Sequence, residues 1–363
     1  MLDTGPALFL TSARVGIALA LRAHGIGPGH EVLVPAYHCI AMIEPVRFCG
    51  ATPVFYRVTD NARADIGDIA AKCNARTRAI IAVHYFGFPQ DMHSLRPLCD
   101  DRGLLFIEDC AHAFFGELDG QPVGRHGDYA IASALKFFPI YDGGVLISAR
   151  HNLSGIHLNS AGVSFEMKSI VNILEQSATY SRLRPLSMPL RATMAIKDRL
   201  WRAHKRRRPV PSGVPAPVAA DGAYGFDPDS LDKRASHMSR LLTVIASRQR
   251  ITQKRRDHYR ALLAAFEGIS GASPLYPDLP HGVVPYMFPL RIRNPDTVYY
   301  SLKREGVPVL RFSEDHWPGV DESVCPAAAR LAHEVIQIPC HQELRARELN
   351  WIIDRVRTTI AAH

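Results

Sequence analysis

The sequence predicts an α/β protein whose large, mainly parallel β-sheet is covered by helices on both faces. Through residues 1–150, short apolar runs rich in β-branched residues alternate with stretches of helical periodicity. The runs are apolar on both faces, as strands buried between two helical layers are. A chain of 363 residues with 47% hydrophobic content can bury a large core, and its length favours two domains.

Six runs are predicted strands, in chain order EVLVPAY, TPVFYRV, RAIIAVHYFG, LLFIEDCA, DYAIASAL and GGVLISA. The stretches SARVGIALALRAHG, IGDIAAKC and MHSLRPLCDDRG have helical character and separate several of these strands. Ligands of such sheets bind beyond the carboxyl ends of the strands, so the residues that follow each run are the candidates for chemistry.

Composition narrows the class of protein further. Seven cysteines are scattered from Cys39 to Cys340 without a CxxC pair, which argues against a disulfide framework and a zinc ribbon. The N-terminus MLDTGPALFL has no basic leader before a long apolar core, and no run of about 18 apolar residues occurs. We therefore expect a soluble protein of the cytoplasm.

The residues that give the chain its formal net charge of +8 are concentrated in one segment. Ten Lys or Arg residues and a single acidic residue, Asp198, lie between Arg182 and Arg208, so the remainder of the chain is close to neutral. A solvated helix followed by a flexible Pro/Gly/Ala linker is one interpretation of this segment. A cationic amphipathic element that contacts anionic lipid or a diphosphate-bearing ligand is the other, and no motif for nucleic acid accompanies the charge.

Two strand ends carry ionisable residues in an apolar setting. Asp109 ends LLFIEDC, after Glu108, and Lys136 follows DYAIASAL. A buried carboxylate needs a cation or strong donors, and a lysine in apolar surroundings pairs, loses its proton or forms an imine. Lys136 could instead reach solvent, or the two could form a structural ion pair. Pyridoxal phosphate is the sharper alternative, because it takes a lysine as a Schiff base and a carboxylate on its pyridine nitrogen.

The phosphate of such a cofactor needs a third site, and the stretch LTSARVG offers one. Ser12 and Ala13 open an amphipathic helix whose free N–H groups can hold an anion. Thr11 or Ser12 as an ordinary N-cap is the alternative meaning. Ser133, three residues before Lys136, could add a hydroxyl to the same phosphate.

The order of these motifs resembles the DegT/DnrJ/EryC1/StrS family of pyridoxal-phosphate sugar aminotransferases, which have fold type I. The resemblance lies in TSARVGIALALRAHGIGPGHEVLVPAY, GATPVFYRV, IEDCAHAFFGELDGQPVGRHGDYAIAS and LKFFPIYDGG. It covers residues 8–150 and resumes more weakly from about residue 230. It implies a large cofactor domain with its core in 1–150 and a smaller α/β domain in 231–363. Residues 151–230 cannot be placed by the resemblance, and their composition predicts a basic helical insertion and a Pro/Gly-rich linker.

The resemblance also implies roles for single residues. It makes Lys136 the Schiff-base lysine and Asp109 the partner of the pyridine nitrogen, and it assigns the phosphate to Ser12, Ala13, Arg14 and Ser133. His112 stands where the family usually has glutamine near the ring hydroxyl. Strict register puts Cys39 at the place of the aromatic that stacks on the ring, and we expect His38 to cover the ring instead. Ser236 or His237 stands where members lend an asparagine across the dimer interface.

The function that the resemblance implies is ping-pong transamination by a homodimer. An amino acid donor, glutamate by family analogy, would give its amino group to a keto-sugar, most simply a nucleotide-linked one, for polysaccharide or glycan precursors. A family member with another pyridoxal-phosphate reaction, or a non-catalytic membrane-associated partner protein on the same fold, is the alternative.

Overall fold

The computed structural model describes residues 1–179 and 226–363, and it arranges their strands mainly in two sheets. The strands are β1 Ala7–Leu10, β2 Glu31–Pro35, β3 Thr52–Tyr56, β4 Thr77–Val83, β5 Leu105–Asp109, β6 Glu117–Leu118, β7 Gln121–Pro122, β8 Tyr129–Ser133, β9 Gly144–Ile147, β10 Ala272–Pro274, β11 Met287–Ile292, β12 Leu310–Arg311 and β13 Val335–Pro339. The α-helices are α1 Ala13–Ala23, α2 Ile40–Phe48, α3 Ile66–Lys72, α4 Met92–Arg102, α5 Val163–Thr179, α6 His237–Ile245, α7 Arg248–Phe266, α8 Pro295–Arg304, α9 Pro326–Glu334 and α10 Ala346–Ala362.

The large sheet has seven strands in the order β1-β9-β8-β5-β4-β2-β3. Strands β3, β2, β4, β5 and β8 run parallel, whereas β9 is antiparallel to both β8 and β1. The predicted mainly parallel α/β fold is confirmed, and each of the six predicted strands is present. Strand β1 was not predicted, because its four residues ALFL follow a Pro-containing N-terminus without a pattern of their own.

The core of the large sheet lies on both of its faces. All five residues of β2 and of β5 are buried, as the lack of polar alternation in those runs predicts. Helix α1 covers β8 and β9 with the buried face that contains Val15, Ile17 and Leu21. Burial of large aliphatic side chains of this kind stabilises the fold by about 2 kcal/mol each.

The second sheet, in the order β10-β11-β13-β12, lies entirely within residues 272–339 and is antiparallel. Helices α7, α8 and α9 pack on its strand β11. Its central strands β11 and β13 are almost completely buried.

The pairing of β1, β9 and β8 brings several strand ends to the same edge of the large sheet. Gly144 of β9 pairs with Leu10, the last residue of β1, and with Ser133, the last residue of β8. Because β9 is antiparallel to both neighbours, β1 and β8 run in the same direction and end at the same edge. Asp109 ends β5, the parallel neighbour of β8, at that edge too.

The basic segment between Arg182 and Arg208 lies outside the described residues. Within residues 1–179 and 226–363, no helix is long and apolar enough to cross a membrane.

Candidate active site

Asp109 and Lys136 follow neighbouring parallel strands and line one small cavity. Asp109 is buried at the end of β5, where it pairs with Ile131 of β8. Lys136 ends the single 3-10 turn Ala134–Lys136 that begins directly after β8. The strand ends therefore bring together the carboxylate and the amine that the sequence predicted.

Opposing effects act on the pKa of the Asp109 carboxyl group. Burial raises its pKa, while the N–H of Ala111, which donates to Asp109 Oδ1 at 2.8 Å, and the charge of Lys136 both oppose that rise. Its immediate neighbour Glu108 points to the other face of the sheet, as successive strand residues must. There Glu108 accepts hydrogen bonds from His84 Nε2 at 2.9 Å and from the N–H groups of Gly124 and Gly127.

The contacts of Glu108 therefore stabilise the fold and lie outside the cavity. Burial is the largest single effect and raises the pKa of Glu108, but the hydrogen bond and charge of His84 together with the N–H of Gly127 outweigh it, and the pKa lies below its ordinary value. The other ring nitrogen of His84 accepts from the N–H of Gln90 at 3.0 Å, so both ring nitrogens are occupied. Of the two carboxylates in IEDC, only Asp109 faces the cavity.

The start of α1 forms the third part of the site. Ser12 is the N-cap, yet its side chain makes no capping hydrogen bond, and Thr11 Oγ1 is buried without a partner in the structure. Gly144 lies against the peptide that joins Ser12 and Ala13, since a Cβ built on it would stand 2.0 Å from the carbonyl carbon of Ser12. The first N–H groups of the helix and an unpaired hydroxyl are thus presented together, as anion sites require.

The small cavity, of about 70 Å³, collects seven of the eight residues named from the sequence: Ser12, Ala13, Arg14, Asp109, His112, Ser133 and Lys136. Arg14 also lies 3.5 Å from Glu44, with which it forms an ion pair. The eighth residue, His38, is absent from the lining that the structure describes, and Cys39 is present in its place. Strict register, which put Cys39 at this position, thus agrees with the geometry better than the expectation that His38 faces the ring.

The ring of His38 is directed to residues of the C-terminal half. Its Nδ1 donates to the carbonyl of Ala36 at 2.9 Å, and its Nε2 accepts from the N–H of Trp317 at 3.0 Å. Burial, with a smaller contribution from the nearby His316, lowers the pKa of His38 to about 4. A neutral imidazole that uses both nitrogens in this way joins the two halves of the fold.

Aromatic rings surround His112 beside Lys136. Tyr286 stacks on His112 with ring centroids 4.6 Å apart and an interplanar angle of 20°, and its ring centroid lies 5.7 Å from Lys136 Nζ. Phe312 meets His112 edge-on at 5.1 Å. Burial, with the charge of Lys136 in addition, lowers the pKa of His112 well below its ordinary value, so His112 is neutral at pH 7.

The turn that follows Lys136 is anchored by Asp142 and Ser239, which sequence reasoning missed, and by Ser236, which the resemblance placed at the dimer interface. Asp142 accepts from the hydroxyls of Ser236 and Ser239, each at 2.7 Å, and from the N–H of Ser236 at 2.8 Å. Ser236 is also the N-cap of α6. The motif PIYDGG contained the signal, because an acidic residue before two glycines in an apolar turn needs buried donors.

Arg255 and Gln342 were also missed, since neither belongs to a recognisable motif. They reach Lys136 and Phe137 from α7 and from the loop after β13 and hold the backbone carbonyls of both residues. Only the fold brings residues so distant in sequence together.

A larger cavity, of about 1780 Å³, opens from Lys136 along the second sheet. It shares Arg14, Cys39, His112, Lys136 and Phe312 with the small cavity. Its outer lining contains the cations and aromatic side chains Tyr299, Lys303, Arg311, Arg347 and Trp351. Four acidic residues line the same cavity, so its charge is mixed, while Trp351 offers a flat surface on which a ring can pack: Glu314, Asp315, Glu343 and Glu348.

Residues 2–172 match the DegT/DnrJ/EryC1/StrS aminotransferase family. The chain is 28% identical over 359 residues to the UDP-N-acetyl-3-dehydro-alpha-D-glucosamine 3-aminotransferase of Acidithiobacillus ferrooxidans, covering 95% of this chain and 81% of that protein. It is 37% identical over 142 residues to the GDP-perosamine synthase of Vibrio cholerae, covering 38% of this chain and 39% of that protein.

Solved structures show the same fold at low sequence identity. Helicobacter pylori PseC, an aminotransferase involved in the biosynthesis of pseudoaminic acid, superposes with a TM-score of 0.70 at 18% identity, covering 99% of this chain and 88% of that one. A Streptococcus pneumoniae protein solved in its PLP form gives a TM-score of 0.70 at 19% identity, with the same coverage.

Proposed function

The chain belongs, through residues 2–172, to the DegT/DnrJ/EryC1/StrS family of aminotransferases, which use pyridoxal 5′-phosphate, and we propose that it transfers an amino group to a keto-sugar. The observation that carries the proposal is the shared cavity of Lys136, Asp109 and the start of α1. The proposal includes the predicted domain boundaries, with the cofactor domain core in 1–150, the insertion and linker in 151–230 and the smaller domain in 231–363.

The residues present fit the cofactor. Thr11 Oγ1 is an orphaned buried hydroxyl, and the uncapped N–H groups after Ser12 lie against Gly144, which leaves no room for a side chain. These groups, with Ser133 and Arg14, would hold the phosphate. Asp109 would hold the pyridine nitrogen, and Lys136 would carry the covalent link. Bound there, the cofactor supplies an electron sink for the carbon that bears the amino group.

The chain's own residues then have distinct tasks. Asp109 would keep a proton on the ring nitrogen of the bound cofactor; burial raises the pKa of this carboxyl group, and the N–H of Ala111 and the charge of Lys136 partly offset that rise. Lys136 Nζ takes up and returns the proton of the carbon that carries the amino group, as general base and acid. Neutral His112 donates a hydrogen bond near the ring, and Tyr286 and Phe312 pack around it and limit the access of water.

A nucleotide-linked sugar is the substrate class that we propose. The two relatives above are named for UDP-linked and GDP-linked sugars. The outer cavity supports the same class, because Lys303 and Arg347 offer positive charge for a phosphate and Trp351 offers a flat apolar surface for a base; the neighbouring Arg311 is paired with Asp296. Glutamate is the proposed amino donor, from the resemblance to the family.

We propose that the enzyme is a homodimer that pairs through the faces of α5 and α6. Six large apolar side chains on these two helices are between 42% and 79% exposed: Val163, Met167 and Val171 on α5, and Leu241, Val244 and Ile245 on α6. The helices pack on each other, and Asp142 ties α6 to the turn after Lys136. Clustered exposed apolar residues of this kind favour a protein interface, and a second copy there would lie beside the site.

The basic segment 182–208 supports a second proposal about location, a peripheral contact with an anionic membrane surface from the cytoplasmic side. Its ten cations stand beside Leu200 and Trp201, and each cation near such a surface contributes about 1 kcal/mol. A solvated helix is the competing interpretation.

The experiment for the proposed activity measures 2-oxoglutarate formed from glutamate in the presence of pyridoxal phosphate and a UDP-linked keto-sugar. We expect turnover by the unaltered protein. The rate should fall by about 10³-fold or more in Lys136→Ala, because this substitution removes both the residue that binds the cofactor covalently and the general base. Lys136→Ala should still bind the cofactor through Asp109 and the start of α1. Asp109→Asn should keep the covalent link and lose rate. Lys233→Ala, which alters a half-buried lysine paired with Asp232 away from the cavity, is the matched control.

A protein that stays colourless when it is supplied with pyridoxal phosphate would contradict the catalytic proposal. That outcome would favour the alternative, a non-catalytic partner protein on the same fold.

A further inference from the structure

The backbone of Lys136 is held by two side chains that are more than one hundred residues away in sequence. Arg255 of α7 donates from Nη2 to the carbonyl oxygen of Lys136 at 3.1 Å. Gln342 donates from Nε2 to the carbonyl oxygen of the next residue, Phe137, at 2.7 Å. Arg255 Nε donates to Gln342 Oε1 at 2.9 Å, so the two side chains form one unit, which we term the Arg255–Gln342 clamp.

Burying the charged guanidinium of Arg255 costs free energy. The residue is 1% exposed, its guanidinium carbon lies 4.5 Å from the centroid of the Phe137 ring, and burial lowers its pKa. The described residues give it no ion pair; its hydrogen-bond acceptors are carbonyl and amide oxygens. An apolar residue of similar size would fill the same space without desolvating a charge, so packing alone does not account for an arginine here.

The clamp also binds the backbone of Pro285 and Tyr286, on the side of the cavity that faces the Lys136 amine. Arg255 Nη1 donates to the carbonyl oxygens of Pro285 at 3.3 Å and of Tyr286 at 3.0 Å. The ring of Tyr286 in turn stacks on His112 and faces Lys136 Nζ. One guanidinium therefore fixes the turn that carries the lysine and the aromatic residue opposite it.

We propose that Arg255, together with Gln342, is a positioning residue that directs the amine of Lys136 into the cavity. Lys136 stands at the end of a single 3-10 turn, where its own secondary structure restrains it weakly. The two carbonyl contacts supply the missing restraint. The value of this restraint for catalysis rests on the proposed function, because a displacement of about 1 Å can cost about 10²-fold in rate.

The test compares Arg255→Met and Gln342→Ala with Arg256→Met in the full-length chain without added cofactor. Arg256 is a suitable control because it is the next residue of α7 and also donates to backbone carbonyls, those of Pro280 and Val283, neither of which lines the two cavities at Lys136. Each protein is treated with acetic anhydride over a range of pH, and acetylation of Lys136 is followed by mass spectrometry relative to the half-buried Lys233. We expect the two clamp variants to change the rate and pH dependence of Lys136 acetylation toward those of Lys233.

Arg256→Met should lower thermal stability and leave the Lys136 profile unchanged. Equal Lys136 profiles in Arg255→Met and Arg256→Met would overturn the proposal. If Arg255→Met does not fold, Arg255→Lys and Gln342→Ala decide, since Arg255→Lys keeps the charge with too few donors for all four acceptors.

A second readout separates this proposal from the function on which it rests. With cofactor and substrates, the clamp variants should lose about 10²-fold in kcat with little change in KM. If the unaltered protein forms no link with pyridoxal phosphate, the proposed function fails while the acetylation profiles still test the clamp. If it forms the link and kcat is the same in the clamp variants, the positioning role is wrong.

Discussion

Gly144 lies so close to Ser12 that its missing side chain is what allows the start of α1 to meet β9. A Cβ on Gly144 would stand 2.0 Å from the Ser12 carbonyl carbon and 2.4 Å from the Ala13 nitrogen, distances that real atoms do not adopt. The same glycine pairs with Leu10 and Ser133, so it connects the start of α1 to the strand that leads to Lys136.

We expect Gly144→Ala to destabilise the protein by about 3 kcal/mol, because the methyl group forces the backbone of α1 away from β9. Affinity for pyridoxal phosphate should fall in parallel, since the anion-binding N–H groups move with the helix. Urea unfolding and cofactor titration measure the two effects. Gly155→Ala is the control, since no atom lies within 4 Å of a Cβ at that position. Equal stability of the two variants would contradict this packing.

Acid should destabilise the fold through His38. Its folded pKa of about 4 lies below the ordinary value of 6.5, so below pH 6.5 the unfolded chain binds a proton that the folded chain does not. The resulting loss begins near pH 6.5, is complete below about pH 4, and amounts to about 3 kcal/mol. We expect His38→Gln to flatten the pH dependence of the unfolding free energy in this window, as measured by urea unfolding at a series of pH values against the unaltered protein.

The apolar face of α5 and α6 predicts the oligomeric state. Sedimentation equilibrium should give twice the 40.2 kDa of one chain, and Leu241→Asp with Val244→Asp should give monomers, because charge cannot be buried unpaired at the interface. Tyr300→Asp changes an equally exposed aromatic residue on α8 and should leave the dimer intact. A monomeric unaltered protein would refute the proposed interface.

The basic segment predicts salt-sensitive binding to membranes. Vesicles that contain anionic lipid should sediment with the protein at low salt, while neutral vesicles should not, and added salt should weaken the binding. Replacing Lys205, Arg206, Arg207 and Arg208 by Ser should reduce it. Unchanged binding after that replacement, or no binding by the unaltered protein, would show that the segment does not dock on lipid.

The fold and the centre of the site could be predicted because they depend on local patterns. Continuous apolar runs specify parallel strands, and Asp109 and Lys136 stand at strand ends that topology brings to one edge. The choice between Glu108 and Asp109 follows from strand alternation once the strand's end is known.

Other features depend on contacts between distant segments. His38 was expected at the cofactor, yet its ring is taken by Ala36 and Trp317, a partner 279 residues away. Arg255 reaches Lys136 across 119 residues, and Ser236 reaches Asp142 across 94. No periodicity or motif encodes such pairs, since each is specified only after both sheets have formed.

The central claim is that Lys136 carries pyridoxal phosphate, and reductive trapping tests it most directly. The protein is incubated with pyridoxal phosphate, reduced with borohydride, digested and analysed by mass spectrometry, with Lys136→Ala as the control. We predict a visible absorption band that reduction abolishes, a pyridoxyl group on the peptide that contains Lys136, and neither signal in Lys136→Ala. A pyridoxyl group on another lysine such as Lys303, or on none, would contradict the claim.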